Sequence, residues 1–310
     1  MMALLLLGKI KVVETWILLL QQKMPDLEIR VWPDVGNSSE IDVILAGFNL
    51  APTLPDFPNL KLVISIGAGV DHILKNPSWF GDATVVRLIS ESLTTQMVEY
   101  ISLAVLSFQR RLRDYLSLQK TQQWEYLPAS DARSFTIGIL GLGVLGSTVA
   151  TQLKRLGFTV RGWSRTPKNV AGVECFQGKQ QLQPFLSQCR VLTCLLPLTP
   201  ETEGILNLNT FSALPQNAYL INAARGKHLI EEDLLTALNS GQIAGAWLDV
   251  FQTEPLPKNH PFWLDDRIAI TPHIAAVTLP HELINQVIDA MNSIETGKPL
   301  KNIVDIHRGY

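Results

Sequence analysis

The 310-residue chain is short of charge. Only 17% of its residues are Asp, Glu, Lys or Arg, against roughly 25% in a typical soluble protein. Its hydrophobic fraction is 46%, which excludes the polar, highly charged balance of a disordered chain. Neither sign of charge dominates: 26 basic and 28 acidic residues leave a net charge of −2. No domain-wide basic field is available to hold a nucleic-acid backbone. Cysteine is scarce, and Cys175, Cys189 and Cys194 form an odd set without metal-type spacing. Free thiols in a reducing compartment are the simple reading. Long apolar runs are missing, for nothing approaches the ~20 residues needed to cross a bilayer. The opening run Met1–Leu7 has no basic residue before it and stops at Gly8-Lys9. A secretory segment wants a basic start and a longer core. The expectation is a cytoplasmic protein whose first segment is a buried strand.

What is present is alternation. The length suggests about two domains, and such a chain buries its core without staples. Ala3–Leu7 reads as a strand, Glu14–Lys23 as a helix, and Ile29–Trp32, Val43–Ala46, Leu62–Ile66 and Val85–Leu88 as short strands. Such apolar runs suit parallel sheets buried on both faces. From Thr94 to about Gln123 one long helix is expected, with Met97, Ile101, Ala104, Val105 and Phe108 at three- and four-residue spacing. After Pro128–Asp131 a second series begins: Phe135–Leu140, Phe158–Trp163, Val191–Leu195, Ala218–Asn222, Gly245–Val250 and Ile268–Thr271. Strand–helix alternation argues a doubly wound parallel α/β sheet. The last stretch, Pro280–Glu295, is amphipathic and helical. No fixed-period repeat or low-complexity tract is visible.

Gly141-Leu142-Gly143-Val144-Leu145-Gly146 fits G-x-G-x-x-G. Alone the pattern is weak and also fits a structural glycine turn. Here it follows the strand Thr136–Leu140 and opens the helical stretch Ser147–Leu156, the context that dinucleotide binding requires. Gly141 suits the tight turn, Gly143 the approach of a pyrophosphate, and Gly146 close helix–strand packing. The helix N-terminus then offers amides to the phosphates. An NAD-selective site places Asp or Glu about 20 residues on. The chain has Ser164-Arg165-Thr166 there. A guanidinium fork with a hydroxyl suits a 2′-phosphate. NADP(H) is therefore preferred, with NAD(H) use left open. The alternative is an Arg165 that simply points to solvent.

Three polar residues stand after successive strands: Arg225 in Asn222–Gly226, Glu254 in Asp249–Pro257, and His273 in Thr271–His273. In open α/β sheets, ligands bind outside the carboxyl ends of the strands. Singly each has a bland reading: a surface ion pair, a loop histidine, an exposed turn acid. Together, behind a cofactor turn, they suggest a catalytic set.

These segments, with Gly67-Ala68-Gly69-Val70-Asp71, Leu195–Thr202, Leu248–Phe251 and the terminal Arg308-Gly309-Tyr310, resemble the D-isomer-specific 2-hydroxyacid dehydrogenase family over essentially the whole chain. The resemblance implies two α/β domains with a cleft between them. One is a Rossmann-type NAD(P)-binding domain over residues 99–278. The other is a smaller flavodoxin-like substrate domain over residues 1–98, completed by a C-terminal helix within 279–310. It implies reduction of small 2-keto acids such as glyoxylate and hydroxypyruvate. Arg225 would hold the substrate carboxylate or keto oxygen, and His273 would be the acid–base. Glu254 would bond the other imidazole nitrogen and raise its pKa from ~6.5. The amides of Gly67, Ala68, Gly69 and Val70 would bind the carboxylate as a nest, though a plain strand-to-helix turn is the alternative. Gly141, Gly143, Val144, Leu145, Gly146, Ser164, Arg165, Thr166, Pro197, Thr202, Ala223 and Asp249 would contact the cofactor. No metal is implied. A homodimer is, through the Thr94–Gln123 helix and the segment carrying Trp124, Tyr126 and Leu127.

The remaining candidates have bland readings. His72, His228, His260 and His281 lack metal-type spacing and read as structural or solvent-facing. Phe48 suits either the substrate wall or loop packing. Arg110, Arg111 and Arg113 suit a solvated or intersubunit face. Two rival functions stay open: a reductase of another D-2-hydroxy acid, and a dinucleotide-sensing regulator on the same fold.

Overall fold

The apolar runs pair as parallel strands, and their crossovers sort the chain into two compact units, Met1–Leu93 with Thr278–Tyr310, and Thr94–Val277. The computed structural model describes residues 2–8, 13–47, 50, 53–75, 77–128, 130–306 and 308–309. Phe48 and Tyr310, both singled out in the sequence, lie outside the described residues.

The first unit runs β1 (Ala3–Leu7), α1 (Val13–Lys23), β2 (Glu28–Val31), β3 (Ile41–Ala46), β4 (Leu62–Ser65), α2 (Asp71–Leu74) and β5 (Thr84–Arg87). Its five strands are all parallel, in the order β2-β1-β3-β4-β5. That is the flavodoxin-like order. Every residue of β1 and β4 is buried, which is why these strands read as unbroken apolar runs.

In the second unit the chain continues through α3 (Glu91–Gln109), α4 (Leu112–Lys120), β6 (Ile137–Leu140), α5 (Val144–Arg155), β7 (Val160–Ser164) and β8 (Glu174–Gln177). It then runs through α6 (Leu182–Leu186), β9 (Val191–Cys194), α7 (Leu208–Ser212), β10 (Ala218–Asn222), α8 (Glu231–Asn239), β11 (Ile243–Leu248) and β12 (Ile268–Ile270). The strand order is β12-β11-β10-β9-β6-β7-β8, all parallel. Counted from β6, this is the Rossmann order 3-2-1-4-5-6 with one strand added. The order reverses between β6 and β9, and there the glycine turn emerges.

The last helix, α9 (Pro280–Thr296), packs on α1. It buries Leu283, Ile284, Val287 and Met291, which join Trp16 and Leu20 of α1 in one core. Each such side chain contributes roughly 1.5–3 kcal/mol relative to exposure.

Three local features differ from the sequence reading. The expected single helix from Thr94 to Gln123 is broken: Arg111 takes a left-handed conformation (φ 57°) between α3 and α4. The burial that sustains α3 stops at Phe108 and Gln109, and α4 buries no residue. β8 went unrecognised because it pairs with β7 alone and exposes Glu174 and Gln177. An edge strand of this kind carries no apolar run. Helix α5 starts at Val144, inside the glycine turn rather than after it. Among the described residues, no helix is long and apolar enough to cross a membrane, and no group of three or more His, Cys, Asp or Glu residues is placed to hold a metal ion.

Candidate active site

The glycine turn leaves β6 and enters α5. Gly141 has φ +104°, and a Cβ there would lie 2.7 Å from the Leu195 carbonyl oxygen of the neighbouring strand end. A Cβ on Gly146 would fall 1.8 Å from the Gly141 carbonyl oxygen, so only glycine lets helix and turn close on each other. Gly143 is different. It caps α5 with extended backbone and no side-chain cap bond, and a Cβ there would meet nothing within 4 Å. The turn thus keeps open space beside orphan helix amides, with Val144 exposed next to it. That cradle fits a pyrophosphate.

At the end of β7, Ser164 is buried and its hydroxyl donates to the Thr166 carbonyl at 2.8 Å. The serine therefore shapes the turn that carries Arg165, while Arg165 and Thr166 are exposed. Beyond β9, the Thr202 hydroxyl accepts the Thr199 amide at 2.8 Å and donates to the Pro197 carbonyl at 2.7 Å. It acts as an internal brace for the Pro197–Thr202 loop.

Arg225, Glu254 and His273 follow β10, β11 and β12. Asn222, fully buried at the end of β10, accepts the Ala224 amide at 3.2 Å and donates to the Arg225 carbonyl at 3.0 Å. This bends the chain so that Arg225 stands on extended backbone ahead of a short 3-10 turn, Gly226–His228. A Cβ on Gly226 would lie 1.9 Å from the Phe251 carbonyl carbon. Glycine here lets the arginine turn press against the loop that carries Glu254. The Arg225 guanidinium donates to the Ala224 carbonyl at 2.7 Å. Ala223 is buried.

Glu254 and His273 meet: Glu254 Oε2 lies 2.8 Å from His273 Nδ1. The other oxygen, Oε1, accepts the Phe251 amide at 3.0 Å. Burial alone pushes the Glu254 carboxyl up, but the bonds from His273 and Phe251 and the charges of His273 and Arg225 outweigh it. The carboxyl is held below the ordinary glutamate value. Arg225, Glu254 and His273 thus form one electrostatic group.

His273 is left-handed (φ 56°), a conformation costly for a residue with a Cβ. Asp249 holds it there. The Asp249 backbone carbonyl accepts the His273 amide at 2.8 Å. Its carboxylate, 1% exposed, accepts the Thr271 hydroxyl at 2.6 Å and the amides of Ile274 and Ala275 at 2.8 Å each. Thr271 Oγ1 in turn lies 2.5 Å from the Tyr100 hydroxyl, which accepts Trp247 Nε1–H at 2.9 Å. Burial and then the Asp249 charge push the Tyr100 phenol well up, so it stays protonated. Asp249, expected beside the cofactor, also braces the histidine loop with these three accepted hydrogen bonds. The Asn222, Tyr100 and Thr271 supports were not seen in the sequence at all. Their signals were a polar residue at a strand end and a tyrosine on the buried face of α3.

His260 and the buried cysteines make contacts of their own. His260 Nε2 faces Glu231 at 3.3 Å. Cys189 and Cys194 are buried, and that burial pushes both thiols up to about 12. In the first unit, residues Gly67–Val70 follow β4 and lead into α2. The Ser65 hydroxyl shapes this loop, donating to the Gly69 carbonyl at 2.9 Å.

The family model for the D-isomer specific 2-hydroxyacid dehydrogenase NAD binding domain matches residues 102–275. A glyoxylate/hydroxypyruvate reductase A from Yersinia enterocolitica is 45% identical over 300 residues, covering 95% of this chain and 96% of the relative. A D-isomer specific 2-hydroxyacid dehydrogenase from Xanthobacter autotrophicus, solved with NADPH and MES, superposes with a TM-score of 0.92 at 38% identity, over 99% of both chains. An NADPH-dependent glyoxylate/hydroxypyruvate reductase from Sinorhizobium meliloti, solved with NADP and sulfate, does so at 0.90 and 34% identity over the full length of both. With the glycine turn in a Rossmann sheet and Arg, Glu and His at successive strand ends, the chain belongs to the D-isomer specific 2-hydroxyacid dehydrogenase family.

Proposed function

We propose that the protein is an NADPH-preferring reductase that turns small 2-keto acids into 2-hydroxy acids, glyoxylate to glycolate and hydroxypyruvate to glycerate. The observation that carries this reading is the 2.8 Å Glu254–His273 pair, with the Arg225 charge acting on the same carboxylate. A proton donor, an anchor for its far nitrogen and a carboxylate-binding cation are what keto-acid reduction requires. The names of the Yersinia and Sinorhizobium relatives support the same substrates, and the NADPH and NADP complexes of the two solved relatives support the cofactor.

The residues of the second unit fit the cofactor. Gly141, Gly143, Val144, Leu145 and Gly146 hold the pyrophosphate. Arg165, on the turn shaped by Ser164 and Thr166, takes the 2′-phosphate. Pro197 and Thr202 lie on the loop over the cofactor, and Ala223 and Asp249 serve the nicotinamide end. When bound, the cofactor supplies the hydride. The protein supplies the proton. Nδ1 of His273 is committed to Glu254, so Nε2 delivers its proton to the keto oxygen. Arg225 orients the substrate through a permanently charged fork, and the amides of Gly67, Ala68, Gly69 and Val70 bind the remaining carboxylate oxygens. The reading includes a homodimer through the Thr94–Gln123 stretch of α3 and α4 and the segment to Leu127. Leu112, Leu116, Trp124 and Tyr126 are exposed there.

The test is a steady-state panel of short 2-keto acids with NADPH and NADH side by side. Rapid NADPH oxidation with glyoxylate or hydroxypyruvate is expected. His273→Ala should collapse kcat while NADPH binding stays intact, and Arg225→Lys should lose much of the activity despite its kept charge. Cofactor binding without turnover on any keto acid would overturn the assignment in favour of a sensor.

A further inference from the structure

His228 is the one fully buried histidine among the described residues, and the proposed chemistry leaves it without a task. Its ring sits between two functional segments. Nδ1 lies 3.2 Å from both the Arg225 amide nitrogen and the Arg225 carbonyl oxygen. Nε2 lies 3.2 Å from the Pro197 carbonyl oxygen, 31 residues away in sequence. That oxygen also accepts the Thr202 hydroxyl at 2.7 Å. One ring thus touches the backbone of the substrate arginine and the first carbonyl of the cofactor loop.

The Pro197 carbonyl fixes the Nε2 end of the ring. A backbone amide only donates and a carbonyl only accepts. Nε2 must therefore carry a hydrogen toward Pro197, while Nδ1 meets the Arg225 backbone, as acceptor from its amide or donor to its carbonyl. The flanking backbone reinforces the join. Gly204 donates to the Lys227 carbonyl at 2.9 Å, Leu206 to the His228 carbonyl at 2.8 Å, and Ile230 to the Leu206 carbonyl at 3.0 Å. The two segments are laced into one body, with the imidazole as the cross-link nearest Arg225.

We propose that His228 is a positioning residue, which sets the Arg225 backbone through Nδ1 and the Pro197–Thr202 loop through Nε2–H. The proposal rests on the reading of Arg225 as the substrate fork and of that loop as a cofactor contact. The two bonds can be removed separately. In His228→Asn the amide oxygen replaces Nδ1 and the Pro197 bond is lost. In His228→Gln the amide nitrogen replaces Nε2–H and the Arg225 bond is lost.

The expected pattern is crossed. His228→Gln should raise KM for the keto acid about tenfold with the NADPH Kd within about twofold of wild type. His228→Asn should weaken NADPH by a similar factor and spare the keto-acid KM. A purely structural histidine would move both constants together, and that result, or no change in either variant, overturns the proposal. Nitrogen-15 NMR of the unmodified protein at pH 7 adds a readout that does not depend on the variants folding. One histidine should show an Nε2 proton protected from exchange with water, and the absence of such a proton refutes the assignment. If wild-type protein turns over no keto acid, the underlying reading fails. The protected Nε2 proton and the NADPH Kd of the two variants still report on His228.

Discussion

Two alanines in the glycine turn should separate cofactor binding from packing. Gly143 has φ −76° and ψ −165°, open to any residue, and a Cβ there meets no heavy atom within 4 Å. Alanine in place of glycine at a helix cap costs only about 0.5 kcal/mol, so Gly143→Ala should melt within about 2 °C of wild type. The methyl instead occupies the space argued to receive the pyrophosphate. An uncompensated methyl against a close-fitting partner costs about 1–3 kcal/mol, which is roughly a 5- to 150-fold loss of NADPH affinity. Gly146→Ala places its methyl 1.8 Å from the Gly141 carbonyl oxygen, and backbone must move. Helix propensity returns about 1 kcal/mol, leaving a net destabilisation of about 1–2 kcal/mol and a Tm lower by roughly 2–8 °C. Thermal melts and NADPH titration followed by protein fluorescence read both. A folded Gly143→Ala protein with wild-type NADPH affinity would falsify the cradle. A Gly146→Ala protein as stable as wild type would refute the packing argument.

Five further outcomes are expected. Glu254→Gln removes the charge from the His273 pair and should lower kcat roughly 10- to 150-fold, the cost of a charged hydrogen bond of about 1.5–3 kcal/mol; near-normal turnover would remove Glu254 from the chemistry. The same variant checks a pH sign. Because the folded carboxyl lies below its ordinary value of 4.5, its stabilisation is complete above that value and fades as pH falls through the lower folded one. The Tm gap between wild type and variant should therefore shrink below about pH 4.5, and a gap that widens there contradicts the assignment. Arg165→Ala should raise KM for NADPH far more than for NADH, and an equal change would show that it does not read the 2′-phosphate. Native protein should leave buried Cys189 and Cys194 unreacted with a thiol reagent; rapid labelling of either would contradict their burial. In light scattering at micromolar concentration the protein should run as a dimer, with Trp124→Ala shifting it toward monomer. A wild-type monomer ends that part of the proposal.

The chemistry of the second unit was legible because it is written locally. Buried parallel strands need apolar residues on both faces, so β6, β9 and β10 stood out as continuous runs. Gly141 and Gly146 were legible because backbone approach at a tight turn excludes every side chain. Arg225, Glu254 and His273 were legible as polar residues just past such strands. β8 was hidden because an edge strand faces solvent, and the break at Arg111 because no glycine or proline marks it. His228 reads in sequence only as structural or solvent-facing, because its partner Pro197 is brought to it by the crossover between β9 and β10.

By itself, the sequence determined the alternation of strands and helices, the dinucleotide turn and the residue types available for proton transfer and carboxylate binding. Those follow from local sterics and burial. The tertiary structure alone decided which atoms meet. It paired Glu254 with His273 across 19 residues and set the Asp249 carboxylate to brace a left-handed histidine. It also joined the Arg225 backbone to the Pro197–Thr202 loop through one buried imidazole. Hydrogen bonds between distant segments depend on strand order and register, and no local pattern in the chain encodes those.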